Sequence, residues 1–295
     1  MQIIGNRLYL LILVLISLLN YIDQFQIAGA LPKLKNYFNI PYSTLGFAES
    51  VFIIAFMFTS PIAGYLGDRV SRKRIIIFGL FSWTLMTYLS SLAQKDSIEL
   101  FLVCRAFVGI GEACFVAVVP TIITDLFEQK NRAIAFGVVS LTIPVGSGIG
   151  YITGSVISEH LGWKWALRIT SIFGAILLLI SSIFFYDPEI GQNDNFLTKN
   201  TTSYFKDLKV LFTNKTYLLI LLGSIGVTFS GGALGFWVPE YSQIVLQHMS
   251  PNIVTTICGV ILSCGGLAGI SSLLHRRCVN RVTSLKETPA NFCLI

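Results

Sequence analysis

Charge is scarce in this sequence. Asp, Glu, Lys and Arg supply 12% of its 295 residues, about half of the ~25% usual in a soluble domain. That excludes a disordered chain, and it leaves too little polar surface for a water-soluble enzyme. Histidine is nearly missing too: His160, His248 and His275 all stand at helix ends or in loops. No H-E-x-x-H, G-x-S-x-G or paired-aspartate metal pattern occurs, so the chain is not read as an enzyme and no metal site is expected. The six cysteines include no C-x-x-C pair, which argues against a zinc site or a disulfide framework. Cys104, Cys114, Cys258 and Cys264 lie in apolar runs, where cysteine packs as a small hydrophobe. A dinucleotide loop is missing as well. Gly146-x-Gly148 and Gly109-Ile110-Gly111 lack both the later glycine and a preceding strand. No cofactor is therefore expected.

What the sequence has in excess is apolar length. Hydrophobic residues make up 54% of the chain, and the mean hydropathy is +0.72. They form runs long enough to cross a bilayer, which takes about 20 residues at 1.5 Å each. Eight such runs are predicted as helices: 8–31, 44–66, 75–93, 98–122, 133–157, 166–186, 217–239 and 253–274. The polar–apolar alternation of an outer-membrane barrel does not occur. The first run has about 24 residues and no small-residue cleavage pattern, so it reads as a retained helix and not a removed signal. The expected class is all-α, a multi-pass membrane helix bundle.

The basic residues orient that bundle. With a cytoplasmic N-terminus, the inner segments hold Arg7, Arg69, Arg72, Lys73, Arg74, Lys130, Arg132, Lys199, Lys206, Lys209, Lys215, Arg276, Arg277, Arg281 and Lys286. The outer ones hold Lys33, Lys35, Lys95, Lys164 and Arg168. This asymmetry accounts for the net charge of +6. No basic face with interleaved aromatics is present, so nucleic acid is not an expected partner. Residues 187–216 are polar and read as a cytoplasmic linker. Its two sequons, at Asn200 and Asn214, should therefore carry no glycan.

An ionisable side chain inside a bilayer is expensive and asks for a reason. Asp23 in the first run and Arg105 and Glu112 in the fourth are the three that stand out. Arg105 and Glu112 are about two turns apart and share a face. Helix rise places Asp23 and Arg105 at similar depth, about 5 Å outside the midplane, so the two are expected to pair with Glu112 deeper. Two readings stand: a substrate-contacting or proton-coupling set, and a buried structural ion pair. Glu49 and Glu99 lie near helix ends, where a side chain reaches water, and carry no functional expectation.

Two further stretches are distinctive. The loop from Gly64 to Arg74 reads G-x-x-x-D-R-x-x-R-K-R, with Gly64, Asp68, Arg69 and Arg72 as a candidate gating motif. Its acid-then-basic order fits a salt-bridged latch, and composition alone fits a topological anchor. In the fifth run, Gly146, Gly150 and Gly154 recur every four residues and form a small-residue face, with Pro144 just before them.

The Gly64–Arg74 loop, Arg105-Ala-Phe-Val-Gly-Ile-Gly-Glu112 and the glycine-proline fifth helix resemble signature stretches of the major facilitator superfamily. More narrowly, Asn20-Tyr21-Ile22-Asp23, Arg105–Phe127, Trp163–Arg168 and Phe236-Trp-Val-Pro-Glu240 resemble the spinster-type lipid transporters. The resemblance covers residues 8–275. It implies alternating-access transport of an amphipathic lipid, lysophospholipid or sphingoid phosphate, driven or gated by protons, with Asp23, Arg105 and Glu112 as the coupling or substrate-contacting set. A lysosomal, late endosomal or plasma membrane is the implied location. One departure is Gln24, where an arginine usually follows the first-helix aspartate. The other is length. Against a twelve-helix family, residues 1–186 would form the six-helix N-terminal half and 217–274 two helices of the second half. Residues 275–295 would be a divergent tail. A chain ending there is expected either to be incomplete or to be a non-transporting membrane protein. In the second case it would bind full-length copies or other membrane partners, another chain covering the missing helices.

Overall fold

The computed structural model describes residues 2–187, 204–246, 248–250 and 253–268. Among the described residues every regular element is an α-helix. In order they are α1 (Gln2–Phe38), α2 (Tyr42–Gly67), α3 (Arg72–Ser90), α4 (Ile98–Leu126), α5 (Gln129–Ser140), α6 (Thr142–His160), α7 (Trp163–Phe184), α8 (Tyr204–Thr213) and α9 (Lys215–Val245). A last helix, α10, covers Ile253–Ala268. Among the described residues six helices are long and apolar enough to cross a membrane, counting α5 and α6 as one span from Asn131 to His160. Helix α3 has 19 residues and opens on Arg72-Lys73-Arg74, which shortens its apolar run. Large side chains such as Phe58, Phe78 and Leu179 are exposed on the outside of the bundle, as a lipid-facing surface requires.

The fifth run forms one span from Asn131 to His160, with a one-residue interruption at Leu141 between α5 and α6 where the backbone keeps helical φ and ψ. Pro144 has no N–H for the Ser140 carbonyl four residues back, so the ladder breaks there. Within residues 187–216, Tyr204–Thr213 form the helix α8. Asn200 lies outside the described residues. Asn214 caps α9, its side chain accepting from the N–H groups of Thr216 and Tyr217 at 3.0 and 3.3 Å, two donors a helix start otherwise leaves unpaired.

In lipid the helices gain little by hiding apolar surface from one another, so close backbone approach does most of the packing. Gly146, Gly150 and Gly154 lie against α1. A Cβ on Gly146 would fall 2.7 Å from the Tyr21 Cβ, and one on Gly150 2.7 Å from the Ile22 carbonyl oxygen. The opposite face of α6 meets α10. There a Cβ on Gly148 would fall 2.6 Å from the Gly259 carbonyl oxygen, and Ser263 Oγ donates to the Pro144 carbonyl at 3.1 Å. Helices α3 and α4 cross at Gly79 and Gly111, where a Cβ on either would sit 2.6 Å from the other's carbonyl oxygen. That crossing brings Trp83, one turn on, into the centre of the bundle.

Helix α9 is buried only near its end, at Gly235, Phe236, Pro239 and Glu240. Tyr151 of α6 donates its hydroxyl hydrogen to the Gly235 carbonyl, and Tyr42 of α2 donates to Glu240. These contacts fall at the bundle end away from the basic Arg69–Arg74 loop, where Gly162 at φ +90° makes the tight turn from α6 to α7.

Candidate functional site

Asp23, Arg105 and Glu112 come together in the middle of the bundle, and all three are buried. Asp23 is held from α3: its carboxylate accepts from Trp83 Nε1 at 2.9 Å and from Thr87 Oγ1 at 3.3 Å. Arg105 lies within electrostatic reach of Asp23. Its nearest carboxylate, however, is Glu49 on α2, with Nη2 to Oε2 at 3.9 Å. The expected Asp23–Arg105 ion pair is thus replaced by Arg105–Glu49. The reason is topological. Helix α4 packs along α2, whose Phe52 places its ring 4.8 Å from the Arg105 guanidinium carbon and steers the cation toward that helix. Glu112 sits beside Asn20 and interacts electrostatically with Asp23, Arg105 and Glu49.

Glu49 is the residue that sequence reasoning missed. It stands about two turns inside α2, because the helix starts at Tyr42. Leu45 and Phe52, four residues before and three after, are buried on the same face. That periodicity was the available signal. Glu99, by contrast, is exposed. Trp83, Thr87 and Asn20 were missed as well, since neutral residues give no charge signal in an apolar run.

One oxygen each of Asp23 and Glu112, and Nη2 of Arg105, have no hydrogen-bond partner among the described residues. The cluster therefore keeps polar capacity that its own side chains leave unused. Beside it, between α1, α4, α5 and the start of α6, lies a small apolar cleft of about 190 Å³, bordered by Ser17, Asn20, Tyr21, Val119, Phe136 and Ile143 among others. Polar groups at one end and an apolar hollow at the other match the two ends of an amphiphile.

The gating candidates divide. Arg72 is buried and ion-paired with Asp125 of α4, and its guanidinium also donates to the carbonyls of Gly67 (3.1 Å) and Thr121 (3.3 Å). The acid in contact with it is Asp125, whereas the neighbouring Asp68, which is exposed, acts on it only electrostatically. Arg69 lies over the Tyr65 ring at 4.1 Å. A Cβ on Gly64 would meet nothing within 4 Å, whereas one on Gly67 would lie 3.3 Å from Val118. The close approach is therefore made at Gly67. Ser71 caps α3 and donates to Asp187 at 2.5 Å, and Asp187 also accepts from the Lys73 N–H at 2.9 Å.

The helix order, the paired small-residue crossings and the intramembrane charge cluster define a class. The sequence profile of the Major Facilitator Superfamily matches residues 13–286, and the chain belongs to that family. Within it, the chain is 41% identical to protein spinster homolog 3 of Danio rerio over 279 residues, 90% of this chain and 56% of that protein. It is 40% identical to the sphingosine-1-phosphate transporter SPNS2 of Mus musculus over 254 residues, 84% of this chain and 46% of that protein. Among solved structures, a bacterial homolog of the human lysosomal transporter spinster, in an inward-facing and unoccupied conformation, superposes with a TM-score of 0.73. At 24% identity it covers 88% of this chain and 60% of that one. The chain spans about half the length of the curated relatives it matches.

Proposed function

We propose that this chain carries the substrate- and proton-handling half of a secondary active transporter that moves an amphipathic lipid, lysophospholipid or sphingosine-phosphate-like, by alternating access. One observation carries the reading: the buried Asp23, Arg105 and Glu112 cluster beside an apolar cleft. An uncompensated carboxylate in a low-dielectric site exchanges protons when access to water changes, which couples an opening cavity to a proton gradient. Asp23 is the proton-exchanging group, Arg105 meets the head of the lipid, and Glu112 couples the two. Gly64, Asp68, Arg69 and Arg72 work as the gating segment at the basic end. That end faces the cytoplasm, as the arginine-rich loop favours. The membrane is lysosomal, late endosomal or plasma, as for the transporters the chain resembles. Residues 1–186 act as one bundle, joined through 187–216 to the part beginning at 217.

The test is uptake of labelled lysophospholipid and sphingosine phosphate into vesicles across an imposed pH gradient. Flux that responds to the gradient, and loses that response in Asp23→Asn, supports the reading. Flux with the same pH response in Asp23→Asn sinks the coupling role.

A further inference from the structure

Arg105 is shared. Glu49 lies 3.9 Å from its Nη2, and Asp23 and Glu112 both interact with it electrostatically. Neither Arg105 Nη2 nor Glu49 Oε2 has a hydrogen-bond partner among the described residues. The Glu49 side chain is 14% exposed and that of Arg105 2%. The other polar groups at the cluster, Trp83, Thr87, Asn20 and Tyr21, are neutral. They orient carboxylates without cancelling their charge. Three carboxylates against one guanidinium leave the fully ionised cluster with two surplus negative charges.

A surplus of this kind in a low-dielectric setting is relieved by a cation. A proton is one. An ammonium group on the ligand is another, and it has the advantage of bringing its own apolar chain to the adjoining cleft. A head that is an anion alone adds to the surplus, and the one cation it can use is already faced by Glu49 on one side and by the Phe52 ring on another. We propose that Glu49 is a specificity-determining residue of this site. It faces Arg105 across 3.9 Å and turns the pocket toward amphiphiles whose head carries an ammonium group, and away from those whose head is only an anion. The inference rests on the amphiphile-transport reading given above and narrows its substrate class.

The test uses the full chain in nanodiscs and two single-chain probes of the same acyl length. Lysophosphatidylcholine carries phosphate and a quaternary ammonium; lysophosphatidic acid carries phosphate without one. Displacement of radiolabelled lysophosphatidylcholine gives both affinities. The expected result is at least a tenfold preference for lysophosphatidylcholine, falling to within about threefold in Glu49→Gln and returning in Glu49→Asp; one factor of ten corresponds to about 1.4 kcal/mol. A preference unchanged in Glu49→Gln overturns the inference while leaving the amphiphile reading intact, and so does a parent chain that favours lysophosphatidic acid. Binding of neither probe by the parent overturns both. Thermal melting of each variant shows whether it is folded. If Glu49→Gln does not fold, the parent's own preference and its retention in Glu49→Asp decide the matter.

Discussion

Arg72 in the first turn of α3 and Asp125 near the end of α4 form a buried ion pair, with side chains 6% and 10% exposed. It clamps the start of one helix to the end of another, with the Gly67 and Thr121 carbonyls completing the cation's shell. Removing one partner of such a pair costs about 3–5 kcal/mol, because the other charge is left buried alone. Arg72→Ala and Asp125→Ala should therefore each lower the melting temperature and the abundance of the protein markedly. The apolar pair Arg72→Met with Asp125→Leu should recover much of that loss. Normal melting in both single variants would show that Arg72 serves gating and not assembly.

Trp83 is expected to matter through a single atom. Its Nε1 donates to the Asp23 carboxylate at 2.9 Å, and hydrogen bonds to charged groups are worth about 1.5–3 kcal/mol. Trp83→Phe keeps most of the ring and removes that donor. Lipid flux should fall at least tenfold while melting shifts by only a few degrees. A fall in stability as large as the fall in flux would make Trp83 a packing residue only.

The α1–α6 crossing predicts a steep size dependence. A Cβ on Gly150 would already lie 2.7 Å from the Ile22 carbonyl oxygen and 3.0 Å from the Phe25 Cβ. Gly150→Val forces the helices apart at a cost of about 1–3 kcal/mol or more, read as a lower melting temperature. Gly137→Val is the control, since a Cβ there meets nothing within 4 Å and should be tolerated.

Much of the buried charge cluster was visible because charge is so rare in the apolar runs. Asp23, Arg105 and Glu112 stood out one by one, and helix periodicity put the last two on one face. Which partner each charge chose was not visible, because that depends on which helices lie side by side. With the second run read as starting at Thr44, Glu49 looked close to water. The helix begins at Tyr42, and Glu49 turns toward α4. The signal at Pro144 was legible but displaced, since the hydrogen bond a proline removes belongs to the residue four positions earlier. Helix α8 was hidden for another reason: ten residues with Lys206, Asp207 and Lys209 among them read as polar linker when only long apolar runs are counted.

The contact of Tyr42 with Glu240 gives a prediction about access. Glu240 is 7% exposed, Lys35 Nζ lies 3.8 Å from the centre of the Tyr42 ring, and the Trp237 ring meets the Tyr42 ring edge-on at 6.3 Å. Loss of the hydrogen bond in Tyr42→Phe should loosen the end of α9 from α1 and α2. A cysteine placed at Phe25 should then react with a water-soluble maleimide about tenfold faster from that side, in line with a bond worth ~1.4 kcal/mol or more. An unchanged rate would show that the ring contacts alone keep the end shut.

Helix α6 sets glycines on two opposite faces, with α1 behind one and α10 behind the other. The first neighbour belongs to the same continuous run of packed helices, and the second arrives after the linker. On the proposed alternating-access reading, one short element is an axle fixed in one wheel and turning in the other. Substitutions along it should fall into two phenotypes, chains that never accumulate and chains that accumulate but stall, sorted by a rotation of half a turn.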